Sequence, residues 1–198
     1  LDIINNMCEK TDADCDGEKQ TGSHWSLFLD RDGVINERIP DVYINDFKDF
    51  KFKKDFIEIF PKIVPLFKYI FIVTNQQGIG KGLMTIQELE IIHSEMVSRI
   101  NSFLGKIDKI YFCPHSKDEN CLCRKPNPGM AYMAKKDFPD IDFKKAILIG
   151  DRESDIGFGK NVSMKTIFVN SDSNKITEAD YSVNDFYEIE NIVKRLLK

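Results

Sequence analysis

The chain has 198 residues, 42% hydrophobic and 30% charged, with a formal net charge of −4, which is enough for one well-buried domain of ordinary globular composition. No stretch approaches the ~20 apolar residues of a membrane span, and no basic start leads into an apolar signal-peptide core. No long Lys/Arg run supplies the phosphate attraction that nucleic-acid binding needs. The expectation is a cytoplasmic, monomeric protein acting on a small anionic ligand, with neither nucleic acid nor membrane as partner.

Residues 1–23 are polar and aperiodic and read as a leader or linker, which leaves residues 24–198 as the working domain. The first residue is Leu1 rather than Met, so a longer chain upstream is expected. Asp12–Gly17 begins like an EF-hand calcium loop, but Ser23 stands where the closing Glu belongs and no amphipathic helices flank it, so no calcium site is expected. Leu27-Phe28-Leu29 is then a buried strand that ends in Asp30-Arg31-Asp32-Gly33. Residues i and i+2 of an extended backbone project to one side, so Asp30 and Asp32 are expected to crowd one space. A divalent ion such as Mg²⁺ would relieve their repulsion. The plainer alternative is a strand running into a polar turn, for which Asp-Gly is a common signal.

Phe56, Ile57, Phe60, Ile63, Val64 and Phe67 recur at helical spacing, with Pro61 and Pro65 expected to kink or shorten the helix. Tyr69–Val73 is a second buried strand, stopping at the polar tip Thr74-Asn75-Gln76-Gln77-Gly78. Thr85 and Glu88 make a capping box, after which Leu89, Ile92, Met96, Ile100 and Phe103 share one helical face up to Gly105. A third strand, Lys109–Phe112, leads into a Cys- and charge-rich loop. A short helix near residues 129–137 precedes the fourth strand, Ala146–Ile149, which ends in Gly150-Asp151-Arg152-Glu153-Ser154-Asp155. A helix weakened by Gly157 and Gly159, each costing about 1 kcal/mol against alanine, leads to a fifth strand at Thr166–Val169. An amphipathic helix carrying Phe186, Ile189, Ile192, Val193 and Leu196 closes the chain.

Apolar strands without alternation, separated by helical patterns, predict an α/β fold with a doubly wound parallel sheet. The short insertion after the first strand leaves no room for a large cap. Ligands in such sheets bind beyond the carboxyl ends of the strands, and Asp30, Asp32, Thr74, Asn75, Asp151 and Asp155 all lie just past an apolar run. Gathered in one crevice, they suit phosphoryl transfer to a carboxylate. Asp30 would attack phosphorus, Asp32 would serve as general acid and base, and Asp151 would complete a Mg²⁺ site, with Asp155 coordinating through water or supporting from behind. Thr74 and Lys125 would hold the transferring oxygens. For Lys125 or Asp155 taken alone, a surface ion pair is the simpler reading.

Cys113, His115, Cys121 and Cys123 form C-x-H-x5-C-x-C, a closed tetrahedral ligand set of the kind that structural Zn²⁺ takes. Free cytoplasmic thiols are the alternative. A zinc staple in so polar a loop would fix Arg124 and Lys125 in the crevice, so its loss should lower activity by misplacing Lys125.

The series strand-Asp-x-Asp-Gly, strand-Thr, Lys-Pro and Gly-Asp-x-x-x-Asp resembles the haloacid dehalogenase superfamily of phosphatases over about residues 25–198. The resemblance sharpens at Leu29–Gly33, Thr74–Gln76, Cys113–His115 and Cys123–Pro126, towards the subgroup that acts on heptose bisphosphate and histidinol phosphate. It implies an aspartyl-phosphate on Asp30 with Asp32 as acid/base, phosphate ligands Thr74 and Lys125, and Mg²⁺ held by Asp30, the Asp32 backbone carbonyl and Asp151. It also implies a zinc loop at this place. Asn36 and Gly78–Gly82 look more like the heptose enzymes, whereas the five residues between His115 and Cys121, and Arg152, look more like the histidinol-phosphate enzymes.

The 7-phosphate of the heptose bisphosphate is the favoured target, because Arg38, Lys81, Arg124 and Arg152 offer more cations than a monophosphate carrying an amine would want. Asn75 joins Arg124, Lys125 and Arg152 as a candidate phosphate or substrate ligand. An acidic wall for histidinol's amine could come only from Glu37, Asp41 and Asp46. A polynucleotide 3′-phosphatase shares the Thr-Asn-Gln stretch but not the acidic charge. A catalytically inactive, zinc-stapled binding module would tolerate the loss of Asp30, Asp32, Lys125 or Asp151, and all four are present. A sugar nucleotidyltransferase, fused upstream or acting alongside, is the partner that suits the heptose reading.

Overall fold

The computed structural model of the chain describes residues 24–38, 44–170 and 177–198. The leader with Cys8, Cys15 and the EF-hand-like stretch lies outside these residues, as does Asp41. Six strands form one parallel sheet in the order β3-β2-β1-β4-β5-β6. They are β1 (Ser26–Leu29), β2 (Tyr69–Asn75), β3 (Lys109–Cys113), β4 (Ala146–Gly150), β5 (Lys165–Val169) and β6 (Tyr181–Val183). The helices are α1 (Lys54–Ile63), α2 (Ile86–Ser102), α3 (Gly129–Asp137), α4 (Glu153–Asn161) and α5 (Ile189–Leu196).

The apolar runs become central strands because both faces are covered. Leu27 and Leu29 of β1 point into a core shared with Phe56 and Phe60 of α1, Leu89 and Met96 of α2, and Val193 of α5. Phe28 points the other way, against Met130 and Ala134 of α3 and Phe158 of α4. With no exposure at any of the three β1 positions, each contributes about 1.5–3 kcal/mol by burial. The strand order reverses at β1, which pairs with β2 on one side and β4 on the other. A crevice must open beyond that reversal, and no large cap covers it among the described residues.

Local signals decide where the elements begin and end. Glu88 N–H donates to Thr85 Oγ1 at 3.2 Å and Thr85 N–H to Glu88 Oε2 at 2.7 Å, so α2 starts at the capping box. Pro61 sits inside α1, which stops two residues later and passes into a 3₁₀ turn, Val64–Leu66, that holds Pro65. Gly159 is buried in α4, where a Cβ would come within 2.7 Å of Thr166 Cγ2. Its helix-weakening effect is the cost of bringing α4 close to β5. The last strand, β6, has no counterpart in the sequence reading. With only three residues, one of them exposed, it carries too little pattern to register. The closing helix is shorter than its pattern suggests, because Phe186–Glu188 forms a 3₁₀ turn before α5.

Candidate active site

The crevice is an open cavity of about 570 Å³ at the carboxyl ends of β1 and β2 and the start of α4, with the Cys-rich loop on one side. Asp30, Asp32, Thr74, Asn75, Arg124, Lys125, Arg152 and Asp155 all line it. Lys81, expected among its cations, is not on its wall. Lys117 and Asn120 from the Cys-rich loop are.

Asp30 follows β1, with its N–H donated to the Ile149 carbonyl at 2.9 Å. The side chain is buried and 2.7 Å from Lys125 Nζ. Burial pushes its carboxyl up to about 7, against the pull of Lys125 and with added repulsion from Asp155 and Asp151. Lys125, also buried, sits between Asp30 and Asp155, with Asp155 at 2.6 Å and the Val73 carbonyl at 2.7 Å. Burial alone would lower its pKa, but the two carboxylates raise it, so the ammonium stays charged. The pair expected at the surface is thus a buried one, and Asp155 serves as the holder of Lys125.

Asn75, expected to meet phosphate, lines the cavity, and both ends of its amide also engage the Lys125 backbone. Oδ1 accepts from the Lys125 N–H at 3.0 Å, and Nδ2 donates to the Lys125 carbonyl at 3.2 Å. Its place in the site is therefore to clamp the loop that presents Lys125. Thr74 is buried with its Oγ1 accepting from Gln76 Nε2 at 2.8 Å.

Asp32 departs from the expectation that two carboxylates share one space. The i, i+2 rule holds only in extended backbone, and β1 ends at Leu29. From Arg31 the chain turns through Gly33 at φ +93°, where a Cβ would stand 2.1 Å from Asp151 Oδ2, so only glycine fits. The Asp32 carboxylate lines the same cavity but is not among the carboxylates clustered with Asp30. It accepts from Arg31 Nη2 at 2.9 Å, Asn36 Nδ2 at 3.1 Å and Gln76 Nε2 at 3.1 Å. Burial opposes its ionisation, but Arg31 and the Asn36 amide hold it below the ordinary carboxylate range. Arg31 is itself buried, and its Nη1 lies 3.3 Å from His93 Nε2. Nothing in the sequence flagged this Arg31–Gln76–His93 support, because His93 falls on the apolar face of α2 and looks like a core residue.

The groups gathered for a cation are the carboxylates of Asp30, Asp151 and Asp155, whose oxygens lie within 4.8 Å of one another. Arg38 already puts a positive charge among them: its Nη2 donates to Asp151 at 2.8 Å, to Asp30 at 3.3 Å and to the Asp32 backbone carbonyl. Burial raises the Asp151 pKa, with Arg38 the chief opposing influence. Oxygen donors alone, clustered around a cation, fit Mg²⁺. Arg152, by contrast, uses its backbone, whose N–H donates to Asp155 at 2.9 Å, and its side chain is exposed on the cavity wall.

The second cluster lies at the end of β3. Cys113 Sγ is 3.4 Å from Cys121 Sγ and 3.6 Å from His115 Nδ1; Cys123 Sγ is 3.2 Å from His115 Nδ1 and 3.6 Å from Cys121 Sγ. A zinc tetrahedron with Zn–S near 2.3 Å has ligand–ligand edges of about 3.8 Å, so the set is close to the size that ion needs. Arg124 Nη1 donates to the His115 carbonyl at 3.3 Å, which ties the cluster to the residue before Lys125.

A family model described as HAD-hydrolase-like matches residues 122–195. The D-glycero-alpha-D-manno-heptose-1,7-bisphosphate 7-phosphatase of Mycobacterium bovis is 35% identical over 145 residues, 73% of this chain and 76% of that protein. The D-glycero-beta-D-manno-heptose-1,7-bisphosphate 7-phosphatase of Helicobacter pylori is 34% identical over 171 residues, 85% of this chain and 97% of that protein. The fold is shared with the D,D-heptose 1,7-bisphosphate phosphatase of B. bronchiseptica, crystallised with magnesium and phosphate. That structure has a TM-score of 0.77 at 23% identity, over 86% of this chain and 98% of the other. No helix among the described residues is long and apolar enough to cross a membrane. With relatives of this identity and coverage, the chain belongs to the haloacid dehalogenase superfamily and is a phosphatase related to the heptose bisphosphate 7-phosphatases.

Proposed function

We propose that this phosphatase removes the 7-phosphate of D-glycero-D-manno-heptose 1,7-bisphosphate through an aspartyl-phosphate on Asp30. The observation that carries the reading is the buried Asp30–Lys125–Asp155 row at the floor of the cavity. A nucleophilic carboxylate is poor against an anionic phosphate unless fixed positive charge stands beside the oxygens that it approaches. Lys125 supplies that charge, and Asp155 and Asn75 keep it in place. Asp30 would attack phosphorus, the bond from phosphorus to the sugar oxygen would break, and Asp32 would give a proton to the departing alkoxide. Asp32 would then take a proton from the water that cleaves the acyl phosphate and frees inorganic phosphate. Because Asp32 is held ionised by Arg31, its carboxylate must leave that partner to carry a proton. Asp30, the Asp32 carbonyl and Asp151 would hold Mg²⁺, which when bound neutralises the phosphate so that a carboxylate can approach it. Cys113, His115, Cys121 and Cys123 would hold a structural Zn²⁺ that keeps the loop, and with it Lys125, in position.

The bisphosphate is favoured over histidinol phosphate by the cavity wall. Beyond Asp30, Asp32 and Asp155, the acid that lines it is Glu37, beside Arg38, Lys117, Arg124 and Arg152, and Asp46 of the first loop is not on it. Such a wall suits a second phosphate better than an ammonium group. The heptose bisphosphate 7-phosphatases among the relatives support the same choice. The test is phosphate release with Mg²⁺ from the heptose bisphosphate and from histidinol phosphate, side by side. We expect the bisphosphate to be hydrolysed in clear preference, and Asp30→Asn to lose about a thousandfold or more of that rate with its circular dichroism unchanged. Preference for histidinol phosphate overturns the substrate, and full activity of Asp30→Asn overturns the mechanism.

A further inference from the structure

Arg38 meets the carboxylate cluster in an unusual way for a guanidinium. Facing carboxylates, arginine ordinarily forks, spending two N–H groups on two oxygens. Here one nitrogen, Nη2, reaches Asp151 Oδ1 at 2.8 Å, Asp30 Oδ2 at 3.3 Å and the Asp32 carbonyl. A single nitrogen among oxygens from three residues imitates a small spherical cation. These are also the three oxygen sources assigned above to Mg²⁺. The remainder of the group gains less, since Nε is buried without a hydrogen-bond partner, which is costly for a donor. The arrangement therefore serves the oxygens more than the arginine. An exit exists as well, because the side chain is 25% exposed and lines the open cavity.

We propose that Arg38 is an intramolecular cation that fills the metal position in the metal-free protein and must be displaced when a divalent ion binds. The proposal rests on the reading of the carboxylate cluster as a Mg²⁺ site. Metal loading is then a competition within the chain. While the ion is away, Arg38 holds together carboxylates that would otherwise repel one another. When the ion enters, the guanidinium is released toward the cavity, so metal loading also makes the wall more cationic. A binding site that is free for a fraction of the time shows an affinity reduced by that fraction. With Arg38 in place about nine-tenths of the time, Mg²⁺ binds about tenfold more weakly than to the open site.

The experiment is calorimetric titration of Mg²⁺ into the metal-free full chain and into Arg38→Met, with thermal melting of each protein at zero and saturating Mg²⁺. We expect Arg38→Met to bind Mg²⁺ about tenfold more tightly, to melt lower than the parent without metal, and to gain more from saturation. Arg38→Gln, which keeps N–H donors without the charge, is expected to shift in the same direction and serves if the methionine variant does not fold. Equal affinity in parent and variants overturns the competition and leaves the Mg²⁺ site standing. Weaker binding by the variants also overturns it, making Arg38 a support for the ion. No binding by any of the proteins overturns both the competition and the Mg²⁺ reading beneath it.

Discussion

The carboxylate cluster and the Cys/His cluster both stand at strand ends beside one cavity, yet they are assembled in opposite ways. The carboxylates come from the ends of β1 and β4 and the first turn of α4, and the chain supplies its own cations to them, Lys125 and Arg38. The Cys/His groups come from one loop whose side chains are only half-buried beyond Cys113, with Leu122 among them 82% exposed. The first cluster is framed by the sheet whether or not an ion is bound. In the second, Cys113 belongs to the apolar core and Cys121 and Cys123 pack against it, but the residues between them are largely exposed, and a bound ion would be the main tie of that stretch. Removing charge should therefore damage the first, and removing metal should damage the second.

Lys125→Met tests the first half and should have the largest effect. Without the ammonium, Asp30 and Asp155 face each other in a buried space, and the loss of one partner from a buried ion pair costs about 3–5 kcal/mol. Urea unfolding should show that loss, with Mg²⁺ restoring part of it. An unchanged midpoint would mean that the sheet, and not the charge, holds the cluster. Chelation of the Zn²⁺ proposed for the Cys/His cluster tests the second half. Activity should fall by about 10- to 100-fold, the usual cost of disturbing groups that orient a functional side chain, while far-UV circular dichroism stays native. Full activity after complete zinc removal would detach the loop from Lys125.

The smallest effect concerns Asp32, which stands outside the carboxylate cluster and has a cation of its own. Arg31 holds it, and His93 accepts from the far side of Arg31. Burial, reinforced by the Arg31 charge, pushes the His93 imidazole down to about 3. In the unfolded chain a histidine takes a proton near pH 6.5. The stabilising contribution is thus complete above pH 6.5 and declines as pH falls toward 3, because the unfolded state binds the proton first. Wild-type stability should drop by about 1 kcal/mol over the first pH unit below 6.5, and His93→Gln should remove that component of the acid dependence. Parallel Tm–pH curves for the two proteins would show that His93 is not held neutral.

Much of this arrangement was legible because strands that are buried on both faces have no choice of side-chain pattern. Their apolar runs mark their own carboxyl ends, so Asp30, Thr74 and Asp151 could be placed from sequence. The Cys/His set was legible for the opposite reason, since all its members lie within one loop. The direction of Asp32 was not, because a strand ending one residue before Asp30 cancels the alternation rule that seemed to fix it. The hold of Asn75 on the Lys125 backbone was not legible either, because the two lie 50 residues apart. Nor could His93 be told from a core residue, because its partner Arg31 is 62 positions distant and long-range pairs leave no local period.

The separations also set an order in time. Cys113 and Cys121 are 8 residues apart, a loop that closes within tens of nanoseconds. Lys125 meets Asp30 across 95 residues and Arg38 meets Asp151 across 113, long-range contacts that form later than local ones, and the second must wait for β4 to dock beside β1. A chain emerging from the ribosome can therefore draw its thiols together well before its acids meet. On the metal assignment proposed above, the zinc ligands come together before the magnesium ligands do, and phosphatase chemistry follows only after the sheet has closed around its central strand.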